Sequence, residues 1–125
     1  MSINKILLLS CMFFTAVSAE AACQGAKWEV EGKAETICYD EKTDVRMSAS
    51  CQEKSCEARA LVEKARTLDL KNTESRPKNP GTAYCNFLNG KVVMGENSRG
   101  SQTAFCKASD GTLVDLSGMA QHASE

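Results

Sequence analysis

Large aromatics, histidine, proline and long apolar runs are all scarce in this chain. Its 125 residues hold one tryptophan, two tyrosines, four phenylalanines, one histidine and two prolines. Beyond residue 19 the large aromatics are Trp28, Tyr39, Tyr84, Phe87 and Phe105, which limits the interior to a modest core. The lone His122 sits near the C-terminus, so a cysteine or serine nucleophile would lack a well-placed base, and no Gly-x-Ser-x-Gly is present. No Cys-x2-Cys occurs and the cysteine gaps are irregular, which argues against a zinc site. Gly95–Gly100 lacks the Gly-Lys-Ser/Thr ending of a phosphate loop. No basic stripe suggests nucleic acid. After residue 19 there is neither a run of about 20 apolar residues nor a cationic amphipathic helix, which excludes a helical span and a lytic segment. No catalytic residue, cofactor or metal is implied.

What the chain does have is cysteine, seven in all. Met1–Lys5 is a short start with one positive charge, Ile6–Val17 is apolar, and Val17-Ser18-Ala19 is a small-residue cleavage site. This is the layout of a secretory signal peptide, cleaved near Ala19. Leu8-Leu9-Ser10-Cys11 resembles a lipoprotein signal, but the apolar run before Cys11 is too short, so plain export is expected. Cleavage removes Cys11 and leaves Cys23, Cys38, Cys51, Cys56, Cys85 and Cys106. An even set, exported to the periplasm or beyond, reads as disulfides that supply stability a small core does not. Lys5 leaves too, so 14 basic residues face 16 acidic ones.

Two parts follow, joined by the polar stretch 71–78, which reads as a linker. In the first part, residues 20–70, Trp28 and Val30 alternate with Lys27, Glu29 and Glu31, the period of a strand. Gly32-Lys33 is a candidate turn. Thr36–Tyr39 and Val45–Ser48 complete a three-stranded meander around the polar turn Asp40–Thr43. Ser50-Cys51-Gln52-Glu53 fits a capping box opening a helix to Leu70, with Ala58, Leu61, Val62, Ala65 and Leu68 on one face. On such a helix Cys51 and Cys56 lie roughly 140° apart and cannot bond. If they do bond, the helix starts at Ser55 instead.

In the second part, residues 79–119, Asn79-Pro80 suits the start of a short helix through Thr82–Leu88, ended by Asn89-Gly90. Lys91–Met94, Thr103–Cys106 and Leu113–Leu116 read as three antiparallel strands, the last after an Asp110-Gly111 turn. Residues 120–125 read as a tail. The expected class is therefore α+β: a meander with one amphipathic helix, then a short helix and a three-stranded segment.

Asn79-Pro80-Gly81-Thr82-Ala83-Tyr84-Cys85, Asn89-Gly90, Cys106 and Asp110-Gly111-Thr112-Leu113-Val114 together resemble a family of small envelope domains of Gram-negative bacteria commonly labelled hemolysin. The family pattern has Ala-Ser where this chain has Gly81-Thr82, and Gly-Gly in place of Asn89-Gly90. The likeness covers residues 79–118 and leaves 23–78 untouched. It implies an envelope or secreted protein with a Cys85–Cys106 bridge. That bridge would close a loop of about 22 residues and stabilise by about 3 kcal/mol. Cys23, Cys38, Cys51 and Cys56 allow three pairings and stay unassigned.

Paired carboxylates Asp40/Glu41 and Asp110/Asp115 fall in turns and on strand faces, where they read as ordinary solvated charges. The polar loop Gly95–Ser101, bearing Arg99 near the implied bridge, could be offered to a protease or receptor. The expected function is a non-enzymatic binding or structural module of the bacterial envelope, monomeric, its partner a protein or envelope component. The alternative is a protease inhibitor presenting the Arg99 loop.

Overall fold

A computed structural model describes residues 23, 25–68 and 80–123, with side chains through Ala120. The expected export segment, the lipoprotein-like stretch at Cys11 and the expected linker 71–78 lie outside the described residues.

Strand-forming alternation gives β1 (Ala26–Val30), β2 (Lys33–Asp40) and β3 (Val45–Ser48) in the first part. The β1–β2 loop is two residues, Glu31 and Gly32, both with positive φ. That is the primed-turn geometry that matches strand twist, and it sits one residue earlier than Gly32-Lys33. The second part gives β4 (Lys91–Glu96), β5 (Gln102–Lys107) and β6 (Leu113–Asp115).

The α+β arrangement expected from the sequence, two separate three-stranded pieces, is corrected by how these strands pair. All six form one closed antiparallel barrel in the order β1-β2-β3-β6-β5-β4. Two seams join the halves: Glu29 and Val30 pair with Glu96 and Gly95, and Met47 pairs with Val114. Both seams link residues more than 60 positions apart, a distance over which local periodicity carries no pairing information.

Alternation sorts the barrel residues onto two faces. Trp28, Val30, Ile37, Val93, Phe105 and Leu113 form the lumen cluster, with Trp28 edge-to-face on Phe105 at 5.8 Å between ring centroids. The outward residues Val45, Met47, Cys106 and Val114 belong to a second cluster, covered by helices. Those helices are α1 (Glu57–Thr67), α2 (Pro80–Phe87) and α3 (Leu116–Ala123). α1 buries Ala58, Leu61, Val62 and Ala65, the stripe its spacing predicts.

Two helix boundaries differ from expectation. The Ser50–Glu53 capping box does not form. Ala49–Gln52 is a single 3₁₀ turn, where the Glu53 N–H donates to the Ser50 carbonyl, and Cys51 bonds to Cys56. α1 therefore begins at Glu57, just past the bridge and two residues later than the Ser55 start of the bridged alternative. After β6 the chain turns straight into α3 through Ala123, where a strand to Leu116 and a tail from 120 were expected. Leu116 and Met119 recur three apart and both are buried against the other helices, which stabilises a segment too short to hold alone.

α1 is held at its N-terminus by the opposite half of the chain. The Glu57 N–H donates to Asp110 Oδ2 at 3.0 Å and the Ala58 N–H to Thr112 Oγ1 at 3.0 Å. The Arg59 N–H donates to Cys56 Sγ at 3.4 Å. Three of the four N–H groups that a helix start leaves unpaired are thus satisfied by side chains, two of them from the Asp110-Gly111-Thr112 turn.

Candidate functional site

The six cysteines among the described residues are all paired: Cys23–Cys38, Cys51–Cys56 and Cys85–Cys106. The last is the bridge implied by the family resemblance. It is wholly buried, and a Cβ added at Gly90 would run into Cys106 Sγ, which explains glycine after the left-handed Asn89. No thiolate is left for metal or nucleophilic chemistry on these cysteines, and among the described residues no group of three His, Cys, Asp or Glu converges on a metal position.

The other two bridges frame a groove. The end of β2, the Glu41–Asp44 turn, the 3₁₀ turn and the start of α1 enclose an open cavity of about 470 Å³. Cys23, Cys38, Tyr39, Asp40, Glu41, Lys42, Gln52 and Arg59 line it. Cys23–Cys38 forms part of the wall itself, while Cys51–Cys56 sets the 3₁₀ turn against α1.

Asp40 organises the floor. It points outward from β2 like Cys38, two residues earlier, into the side covered by α1. Its Oδ1 accepts from Arg59 Nη2 at 3.0 Å; its Oδ2 accepts from Arg59 Nε at 3.3 Å and from the Thr43 hydroxyl at 2.6 Å and N–H at 3.2 Å. Burial pushes this carboxyl up, but the Arg59 hydrogen bonds, the Thr43 hydrogen bonds and the Arg59 charge outweigh it and hold it below the usual carboxylate range. Arg59 Nη2 also donates to the Cys51 carbonyl at 2.6 Å, tying floor to wall.

Tyr39 forms the rim. It is 53% exposed, one of two large aromatics open to solvent among the described residues, the other being Phe87 on α2. Its hydroxyl donates to Asp44 Oδ1, and Gln52 Nε2 donates to its carbonyl at 3.1 Å, so the ring is held in place with its surface open to solvent.

The Arg99 loop lies elsewhere. It is a tight hairpin tip in which Asn97 Oδ1 accepts from the Arg99 and Ser101 N–H groups, and Gly100 N–H donates to the Asn97 carbonyl. The exposed Arg99 caps the β4–β5 ladder at the Glu96–Gln102 end, four rungs from the Val92–Cys106 pair that carries the bridge. The loop is therefore remote from the disulfide expected to hold it.

Of the four carboxylates read from sequence as solvated, Glu41 is exposed as expected and the other three are structural. Asp40 is buried in the groove floor, Asp110 caps α1, and the buried Asp115 accepts from Arg46 Nη2 at 2.9 Å. Strand parity with Cys38 would have put Asp40 on the same face had the second strand been carried to Asp40. Arg59, 19 residues on, gave no such signal. Glu31 is exposed and bound to Lys107 at 2.9 Å and Lys91 at 3.6 Å; the Lys107 hydrogen bond, its charge and that of Lys91 lower its pKa.

No helix among the described residues is long and apolar enough to cross a membrane. Three buried or wall-forming disulfides are compatible with a protein placed in an oxidising, extracytoplasmic compartment. Comparison with protein families, with curated proteins and with solved structures returns no match.

Proposed function

We propose that this chain is an exported, non-enzymatic binding module of the bacterial envelope, acting through the groove between β2 and α1. The observation that carries the reading is the groove's construction: about 470 Å³, walled by a disulfide, floored by the Asp40–Arg59 pair and rimmed by the pinned Tyr39. A site preorganised by covalent links and buried ion pairing loses little further entropy on binding, which favours recognition. The three carboxylates with shifted pKa values are all lowered by hydrogen bonds or cations, so they carry fixed negative charge at neutral pH. A general acid needs the opposite shift.

Amide spectra of the mature oxidised protein test the reading, with envelope extract added to the native protein and to a Lys42→Glu, Gln52→Ala variant. Saturable shifts centred on residues 39–42, 52 and 59, weakened in the variant, support it. Shifts centred anywhere else refute it.

The alternative, a protease inhibitor presenting Arg99, finds one favourable feature, the arginine's exposure at a hairpin tip. The tip's backbone is closed on Asn97, whereas a protease requires an extended strand to fill its cleft. Trypsin inhibition lost in Arg99→Ala would establish it.

A further inference from the structure

The groove is chemically selective, and we infer that it takes a neutral, hydroxyl-rich chain: an oligosaccharide stacked on Tyr39. This inference rests on the groove being a binding site and adds the class of its ligand.

Charge is the first argument. Asp40 and Glu41 are balanced by Lys42 and Arg59, so the groove holds no net charge to draw in an anion or a cation. Strongly charged ligands would meet as much repulsion as attraction.

The second argument is the inventory of hydrogen-bonding groups left over. Arg59 spends Nε and Nη2 on Asp40 and Cys51, leaving Nη1 without a partner among the described residues. Gln52 spends Nε2 on the Tyr39 carbonyl and leaves Oε1 over. The Glu41 carboxylate and Lys42 ammonium, on the same rim, are likewise without partners among the described residues. The groove lining thus offers two donors and two acceptors, from the turn after β2, the 3₁₀ turn and α1. A hydroxyl both donates and accepts, so the hydroxyls of a sugar ring suit such a mixed lining. A peptide adding as a further strand would need an open strand edge, and this sheet closes on itself.

Third is the ring. Tyr39 hydroxyl is already bound to Asp44, so the side chain presents its apolar face and not its hydroxyl. Held at one angle and open to solvent, that face matches the apolar C–H face of a pyranose and adds contact area at small entropic cost.

Two-dimensional amide spectra of the mature, oxidised protein test this in separate arms. One arm adds β-1,4-linked tetramers of glucose and of N-acetylglucosamine and the α-1,4-linked glucose tetramer. The other adds a mixture of tryptic peptides from bacterial envelope proteins. Saturable shifts of residues 39–42, 52 and 59 are expected with a saccharide and not with peptides. Tyr39→Ala should weaken saccharide binding at least about tenfold; Tyr39→Phe, which keeps the ring but loses its tie to Asp44, should weaken it less than Tyr39→Ala, and Arg99→Ala, at the far hairpin, should stay within about twofold. The native pattern of disulfides and an unchanged Trp28 emission confirm that each variant is folded. Shifts in the peptide arm alone overturn the saccharide assignment and leave the groove standing as a binding site. No shift in either arm overturns both. Saccharide binding indifferent to Tyr39→Ala overturns the stacking geometry proposed here.

Discussion

Thr112→Val should cost this protein more than its single lost hydroxyl suggests. Thr112 Oγ1 accepts from the N–H of Ala58, a residue with no exposed surface, and donates to Asp110 Oδ1. Valine keeps the shape but leaves the Ala58 N–H buried and unpaired, which costs about 2 kcal/mol. In a domain near 100 residues that is roughly 10 °C in Tm. Asp110→Ala removes an exposed cap from the Glu57 N–H and costs about 1 kcal/mol. Because the two side chains share a hydrogen bond, the double variant should fall short of the sum by about 0.5–1 kcal/mol. Urea unfolding read by Trp28, the single and buried tryptophan, measures all three. Acid adds an independent readout. Burial raises the Asp110 pKa, but the Glu57 N–H, the Thr112 hydroxyl and the Thr112 N–H outweigh it, and the carboxyl lies below its ordinary 3.8. A carboxylate lowered in the folded state stabilises fully above its unfolded pKa and loses that contribution as pH falls through the folded value. The Asp110→Ala penalty must therefore be whole at pH 7 and shrink in acid below pH 3.8. A Thr112→Val variant as stable as the native chain, or an Asp110→Ala penalty equal at both pH values, would refute the assignment of this turn as the clamp on α1.

Three further outcomes follow from the packing. Removing Cys85–Cys106, separated by 21 residues, should destabilise by about 3 kcal/mol, and removing Cys51–Cys56, separated by 5, by about 2 kcal/mol in the chain-entropy account; paired Cys→Ala variants compared by thermal melting give the order. Gly95→Ala places a Cβ 2.5 Å from Phe105 Cε2 inside the barrel, so about 1–3 kcal/mol should be lost, measured by urea unfolding. Asp40→Asn strips the charge that compensates Arg59 in the groove floor, at about 2 kcal/mol at pH 7, and the loss should diminish in acid as the native Asp40 itself protonates.

Local signals carried far along this chain. Alternation placed β3 at Val45–Ser48, the spacing of Ala58, Leu61, Val62 and Ala65 named the buried face of α1, and Asn89 ends α2 with a φ of 63°. Each of these depends on residues within one or two turns of one another, where side-chain periodicity and backbone preference act directly. The six cysteines beyond residue 19 likewise announced disulfides, because an even count after an expected export segment needs no geometry to interpret. What the residues could not announce was closure. The seams β1–β4 and β3–β6 depend on which strands meet across more than 60 residues, and only they turn two local sheets into one barrel. The groove inherits that dependence: Asp40 meets Arg59 because the Cys51–Cys56 bridge delays α1 until Cys56, and α1 stands there because Asp110 and Thr112 arrive from the opposite half to cap it. Sequence periodicity determined the six strands and the buried face of α1, and the cysteine count determined the chemistry of the cross-links. The tertiary structure alone decided which faces they share, since hydrogen bonds between distant segments form only once the chain has brought them together.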